Sequence, residues 1–286
     1  MISTPNEWDD YRFDLEGFLI LKNAVQPELI AEINEKVDEW LVLSDAGEEW
    51  LGNVHVVKNE NTNSHSVSFR NVIEGGSCFE ALIDNPNWIE FVKRYVDNHG
   101  LHIWMNFLPI ICRGSHVRLH AGGHNKMYRT SFEYHDNKFF CGNLNILLAL
   151  NDIGPGDGGT LVVPGSHKSN IPNPLVHQKR QGRKDYVLEP GDMAPLLKEV
   201  HLKAGDAVVF TDALIHGASV RTNEGERRAL IYRYSSFWTR DRLGYEYSDE
   251  LVARLTPARR KIIRPIEPSK PPVTQMDAGH LAPVSF

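Results

Sequence analysis

The chain has 286 residues, enough for one large domain or two small ones. Its 31 Lys+Arg against 37 Asp+Glu leave a formal net charge of -6, which excludes a protein that coats DNA or RNA, because a duplex is held by a basic face. Hydrophobic residues at 41% and charged residues at 24% are a globular mixture, and no apolar run approaches the about 18 residues of a membrane span. The opening MISTPNEWDD has neither the basic start nor the apolar middle of a secretory signal, and Cys78, Cys112 and Cys141 form no C-x-x-C pair, so free thiols in a reducing cytoplasm are expected.

In chain order, Phe18 to Leu21 form a short apolar run after Gly17, suited to an edge strand. Pro27 opens a helix in which Leu29, Ile30, Ile33, Val37, Trp40 and Leu41 recur at helical spacing. Residues 44–77 are polar and rich in Asn, Ser and Gly, and read as loops. A second helix is expected over 78–98, interrupted at Asn85-Pro86. From residue 101 the period changes. Leu101 to Ile111, Asn145 to Leu150, Thr160 to Val163, Asp206 to Thr211 and Ala229 to Ser235 are short apolar runs bounded by Gly, Pro, Asn and Asp, hence strands. Helices followed by short strands predict an α+β, mainly β domain rather than a doubly wound sheet. It spans 1–256, with a helical part over 1–100 and the strands over 101–240. The proline-rich 257–286 reads as an extended tail.

Four of the thirteen histidines fall within twenty residues: His116, His120, His124 and His135. His216 ends a predicted strand, Phe210 to Gly217. A single histidine is more often a hydrogen-bonded core or surface residue than a ligand, but two at facing strand ends change that balance. His116, His120 and His124 would stack on one helix face and suit zinc. Gly114, Gly122 and Gly123 oppose that helix, each costing about 1 kcal/mol relative to alanine. His120 and His216 on separate strands instead make two thirds of the facial site that holds non-haem iron(II).

Three segments carry a resemblance. Ala204-Gly205-Asp206-Ala207-Val208-Val209-Phe210 followed by His216 and Arg227 resembles the distal half of the phytanoyl-CoA dioxygenase family. Asp157-Gly158-Gly159-Thr160 through Pro164-Gly165-Ser166-His167-Lys168 is similar to that family too, as is the opening Asp14-Leu15-Glu16-Gly17-Phe18. The resemblance implies iron(II)- and 2-oxoglutarate-dependent oxygenases on a double-stranded β-helix, a cupin-like jelly roll, here covered by N-terminal helices. It implies that His120 and His216 bind the metal and that Arg227, rather than its neighbour Arg228, grips the distal carboxylate of 2-oxoglutarate. Thr160 and Asn106 are placed by their strands as lesser candidates for the cosubstrate pocket. His167 reads as a structural turn residue. The glycines at 154–159 read as a hairpin turn, since no phosphate-binding helix start follows.

The departure from the family lies at His120-Ala121-Gly122, where a hydroxylase has His-x-Asp or His-x-Glu. Glycine supplies no ligand, and a chloride ion restores both the ligand and its charge. That is the logic of iron/2-oxoglutarate halogenases, with Gly122 marking the halide position, O2 as oxidant, and chlorine passed to a substrate radical. Two alternatives stay open. Asp136 or Glu133, around Tyr134-His135-Asp136, would supply the acid of a hydroxylase, or the chain would bind ligands without catalysis. The intact His216 and Arg227 speak against the latter. His177 to Lys184 carries four cations, including Arg180 and Arg183, and reads either as a solvated loop or as a lid. With Arg113, Arg118, Lys126 and Arg129 near His120, it points to a small anionic substrate, nucleotide-like or otherwise phosphorylated.

Overall fold

The computed structural model describes residues 4–58, 66–96, 100–124, 127–173, 176, 196–239 and 243–263. Helix α1 (Glu7–Glu16) opens on a capping box between Asn6 and Asp9 and closes at Gly17, which takes the left-handed conformation at φ 81. Strand β1 (Phe18–Leu21) and the 19-residue helix α2 (Pro27–Asp45) stand where the sequence places them, with Pro27 in the first turn of the helix.

The stretch read as loops instead holds β2 (Trp50–Leu51), β3 (Val54–Lys58) and β4 (Val67–Arg70). Their apolar residues are too few to announce strands. Pairing makes them: β3 registers Val56 against Phe69 of β4, and β4 registers Phe69 against Leu108. The helix expected over 78–98 is two short pieces, α3 (Ser77–Glu80) and α4 (Ile89–Tyr95), parted around Asn85-Pro86.

Then follow β5 (Leu101–Cys112), β6 (Val117–His120), the hairpin β7 (Phe132–His135) and β8 (Lys138–Cys141), β9 (Leu144–Ala149) and β10 (Thr160–Val163). Strands β11 (Lys198–Val200), β12 (Ala207–Thr211), β13 (Ile215–Ala218) and β14 (Glu226–Ser236) complete the set. Two antiparallel sheets result, ordered β1-β12-β9-β14-β5-β4-β3-β2 and β11-β10-β13-β6, as in a jelly roll. The tail expectation fails at its start. Pro257–Ile263 is a helix that buries Ile262 and Ile263, two apolar anchors enough to dock one turn. No helix among the described residues is long and apolar enough to cross a membrane.

Alternation along the strands divides the large sheet into two faces. On the outer face Leu108, Ile110, Leu148, Leu230, Tyr232 and Tyr234 pack with Ile33, Val37 and Trp40 of α2 and with Phe79, Trp88 and Phe91. On the inner face Phe18, Leu147, Val208, Phe210 and Ala229 meet Val162, Val200 and Leu202, closing the space between the sheets. Cys78 and Cys141 are buried, and burial pushes the Cys78 thiol up to about 11, which leaves it an inert core group.

Candidate active site

Two imidazoles stand side by side on neighbouring strands of the small sheet, their rings tilted by 57°. β6 and β13 are antiparallel with His120 directly opposite His216, and the ring centroids are 4.1 Å apart. His120 Nδ1 donates to the carbonyl of Arg118 at 2.8 Å, and His216 Nδ1 donates to the carbonyl of Leu214 at 2.7 Å. A carbonyl only accepts, so both rings carry the proton on Nδ1 and offer the Nε2 lone pair. Burial holds His120 below its usual value. For His216, burial and then the neighbouring His120 depress it to about 3. Both rings are therefore neutral at pH 7, the form a metal requires.

The Pro164-Gly165-Ser166-His167 element braces this pair from behind. The Ser166 carbonyl accepts from the Gly123 amide at 3.0 Å, and its Oγ accepts from the Ile215 amide at 2.8 Å, so one residue pins the segments flanking both histidines. Gly123 is obligatory there, since a Cβ would meet the His167 carbonyl at 1.9 Å. His167 itself points away, with Nε2 at 3.0 Å from the Asp14 carbonyl, which is the structural role read from its turn.

Arg227 is 3% exposed and extends from β14 toward the small sheet. It donates Nη1 to the Gly158 carbonyl at 2.8 Å and Nη2 to Thr160 Oγ1 at 3.0 Å, while its Nε has no hydrogen-bond partner. Burial lowers it to about 10, still protonated at neutral pH. A buried cation braced by neutral acceptors is set to receive an anion. Arg228, one residue on, turns to the opposite face and binds Asp38, Asn34 and Glu226.

His120, His216, Thr160 and Arg227 border one cavity of about 440 Å³ between the sheets. Met105, Phe107, Leu147, Phe210 and Ile231 give it an apolar wall, and Arg118, Arg129 and Arg233 also line it. Two imidazole lone pairs and a buried guanidinium in one chamber fit a divalent metal and a dicarboxylate. Among the described residues, no group of three His, Cys, Asp or Glu side chains is placed to hold a metal ion.

Other sequence candidates fall elsewhere. Asn106 is on the outer face, between Met105 and Phe107 in the alternation. It donates to Tyr247 Oη at 3.1 Å and accepts from the Ile73 amide at 3.0 Å, so it ties core elements together and does not reach the cosubstrate pocket. Asp136 occupies the turn of the β7–β8 hairpin at φ 52 with its side chain 90% exposed, and Glu133 is 65% exposed, so neither serves as the missing acid. Arg113 pairs with Glu224 on the surface. Arg180, Arg183 and Lys126 lie outside the described residues. His116 and His124 share no helix with His120; His116 lines the cavity.

Gly122 does not border the cavity, and its φ is 113. A Cβ there would meet His124 Nδ1 at 2.7 Å and Ile215 Cγ1 at 3.1 Å. In this backbone a side chain at position 122 would be strained and would have to push the His124 ring aside.

Sequence reasoning missed two residues. Asp212, fully buried four residues before His216, accepts from Arg129 Nη1 at 2.9 Å and from Asn145 Nδ2 at 3.4 Å. Burial works against its charge, but Arg233, His216 and Arg129 outweigh it and keep the carboxyl below the usual range. Arg233 lies over the Phe107 ring at 5.3 Å. Its place on the strand, an even number of residues from Arg227, was the available signal.

The family described as "Phytanoyl-CoA dioxygenase (PhyH)" matches residues 13–229, a span that takes in both histidines and Arg227. The chain belongs to the phytanoyl-CoA dioxygenase family. Within it, the chain is 23% identical over 261 residues to the dioxygenase olcK of Penicillium canescens, with 87% of this chain and 76% of the relative covered. It is 22% identical over 240 residues to the ectoine dioxygenase of Nocardia farcinica, covering 78% and 76%. Among solved structures, HygX from Streptomyces hygroscopicus with nickel and 2-oxoglutarate bound shares the fold at a TM-score of 0.70 and 21% identity, covering 83% of this chain and 90% of that one. The nogalamycin epimerase SnoN aligns at 0.54 and 15% identity, covering 79% and 81%. Family membership makes this chain a dioxygenase-type enzyme on a jelly-roll scaffold.

Proposed function

We propose that this protein is an iron(II)- and 2-oxoglutarate-dependent halogenase acting on an unactivated C–H bond of a small anionic substrate. The observation that carries the oxygenase part is the convergence of neutral His120 and His216 with buried Arg227 in one apolar-walled cavity. The observation that carries the halogenase part is Gly122, which puts no carboxylate two residues after His120, at a φ that disfavours any side chain.

Bound iron, 2-oxoglutarate and O2 supply the power to remove a hydrogen atom from an unreactive carbon. The residues then have separate tasks. His120 and His216 hold the metal through Nε2, their Nδ1 protons tied to backbone carbonyls so that neither ring turns. Arg227 takes the distal carboxylate of 2-oxoglutarate, with Thr160 and Gly158 fixing the fork of its guanidinium. Phe107, Leu147, Phe210 and Ile231 exclude water from the reacting carbon. Gly122 adds neither a ligand nor a charge, so in this reading a chloride ion from solution would complete the metal's ligand set. Arg118, Arg129, Arg227 and Arg233 line the cavity and suit it to an anionic substrate.

The second reading is a hydroxylase, favoured by relatives that are themselves dioxygenases. An anaerobic titration of the iron(II)-loaded protein with 2-oxoglutarate, with and without chloride, separates the two. A visible charge-transfer band whose intensity or affinity depends on chloride supports halogenation, and a band indifferent to chloride selects the hydroxylase. Absence of a band in either condition removes the oxygenase reading altogether.

A further inference from the structure

Arg227 is held by the start of β10 and the turn before it. Its Nη1 donates to the Gly158 carbonyl at 2.8 Å and its Nη2 to Thr160 Oγ1 at 3.0 Å. Gly159, between those two residues, gives its amide to Glu199 Oε1 of β11 at 3.0 Å. The Gly158 carbonyl and the Gly159 amide belong to one planar peptide group, in which C=O and N–H point in opposite directions. Glu199 and Arg227 therefore grip the two ends of one rigid unit. They come to it from opposite faces of the small sheet. Thr160 lines the cavity, whereas Leu161, with Glu199 registered opposite it, lies on the other face. Glu199 is fixed there, its side chain 22% exposed. Ser219 Oγ donates to the same Oε1 at 2.5 Å, and the other carboxylate oxygen is 3.4 Å from His201 Nε2 at the surface. A Cβ on Gly159 would meet Glu199 Oε1 at 2.7 Å and Cγ at 2.8 Å, so the carboxylate lies directly against the glycine. The earlier half of the turn has its own anchor, Arg221 Nη1 donating to Asp157 Oδ1 at 3.0 Å.

We propose that Glu199 is a positioning residue for the cosubstrate clamp: by accepting from the Gly159 amide it fixes the tilt of the 158–159 peptide, and with it the carbonyl that orients the Arg227 fork toward the distal carboxylate of 2-oxoglutarate. This rests on reading Arg227 as that clamp. Glu199 itself never touches the cosubstrate. An acceptor on the N–H side polarises the peptide and strengthens its carbonyl as an acceptor in turn. The guanidinium, whose Nε has no hydrogen-bond partner, is then held in one orientation before the dicarboxylate arrives. Without Glu199 the peptide can tilt, and of the two bonds that hold the fork only the one to Thr160 stays in place.

The test is calorimetric titration of the nickel(II)-loaded full chain with 2-oxoglutarate and with 2-oxobutyrate, the same 2-oxo acid without its distal carboxylate, so that no turnover enters. The native chain should prefer 2-oxoglutarate by at least about tenfold, the worth of a charge-assisted pair. Glu199→Ala should cost about fivefold in 2-oxoglutarate affinity while 2-oxobutyrate affinity stays within about twofold. Glu199→Gln, which keeps an acceptor oxygen, should return the preference to within about twofold of native. A purely structural role would weaken both acids alike; that result, or an unchanged preference in Glu199→Ala, overturns the proposal. Should Glu199→Ala fail to fold, Glu199→Met, which keeps the bulk without the acceptor, decides. Arg227→Gln separates this inference from the reading beneath it. A preference that collapses in Arg227→Gln but survives in Glu199→Ala removes Glu199 alone. A preference indifferent to Arg227, or absent from the native chain, removes the clamp and Glu199 with it.

Discussion

Strand β14 has two faces made under different rules. Outward, Leu230, Tyr232 and Tyr234 sit in the helix-covered core, and each tyrosine hydroxyl finds a backbone carbonyl: Tyr232 at Phe79, 2.8 Å, and Tyr234 at Ile83, 2.9 Å. Inward, Arg227, Ile231 and Arg233 line the cavity, and Arg227 keeps a buried Nε without a partner. A polar group satisfied inside the protein contributes to stability, whereas one left for a ligand contributes to binding. Substitutions on the two faces should therefore separate into stability effects and ligand effects.

The sharpest break is His216→Ala. It should abolish iron-dependent 2-oxoglutarate consumption while the denaturation midpoint stays near that of the native chain, and consumption surviving the change would remove the histidine pair from the chemistry. Arg227→Gln should weaken 2-oxoglutarate binding by about tenfold to a hundredfold, the worth of a charge-assisted hydrogen-bond pair. Binding is measured directly by titration, and an unchanged affinity would show that the clamp lies elsewhere.

Acid should act on both faces, inside through His216 and on the outer face through His102. His102 is 4% exposed, and burial depresses it to about 4 from 6.5, against the bond from its Nδ1 to the Ile262 carbonyl at 3.3 Å. Its folded value lies below its unfolded one, so the unfolded chain binds the extra proton first. The stability due to neutral His102 is complete above pH 6.5 and falls as the pH drops toward 4, by at most about 1.4 kcal/mol per unit. Urea denaturation from pH 7 to 4 should show this slope, flattened in His102→Gln. The smallest effect is expected from Tyr232→Phe, about 1 kcal/mol of stability by the same method, with 2-oxoglutarate affinity unaltered. A loss of affinity there would mean that the two faces are coupled.

Much of this was legible in the chain itself, in places where local chemistry dominates. The period-3.6 pattern from Leu29 to Leu41 and the apolar runs at 101–111, 145–150 and 229–235 declare their elements, because each carries its own buried face. His120, His216 and Arg227 could be named from short motifs and their spacing, and Thr160 from its strand alone. Asn106 was misplaced because its strand was visible but its face was not: a shift of one residue sends a side chain to the other side of the sheet. Strands β3 and β4 escaped notice because their pairing, β3 with β4 and β4 with β5, makes them strands.

By itself, then, the sequence determined a mainly β domain with two histidines, one buried arginine and a glycine where an acid would be expected. Only the tertiary structure decided which face each residue joins, that Arg233 lines the cavity with Asp212 buried against Arg129, that Asp136 does not reach it, and that the His124 ring lies beside Gly122. Spacing along a chain records local geometry, whereas a cavity is assembled from strands far apart in sequence, and their register is set by packing.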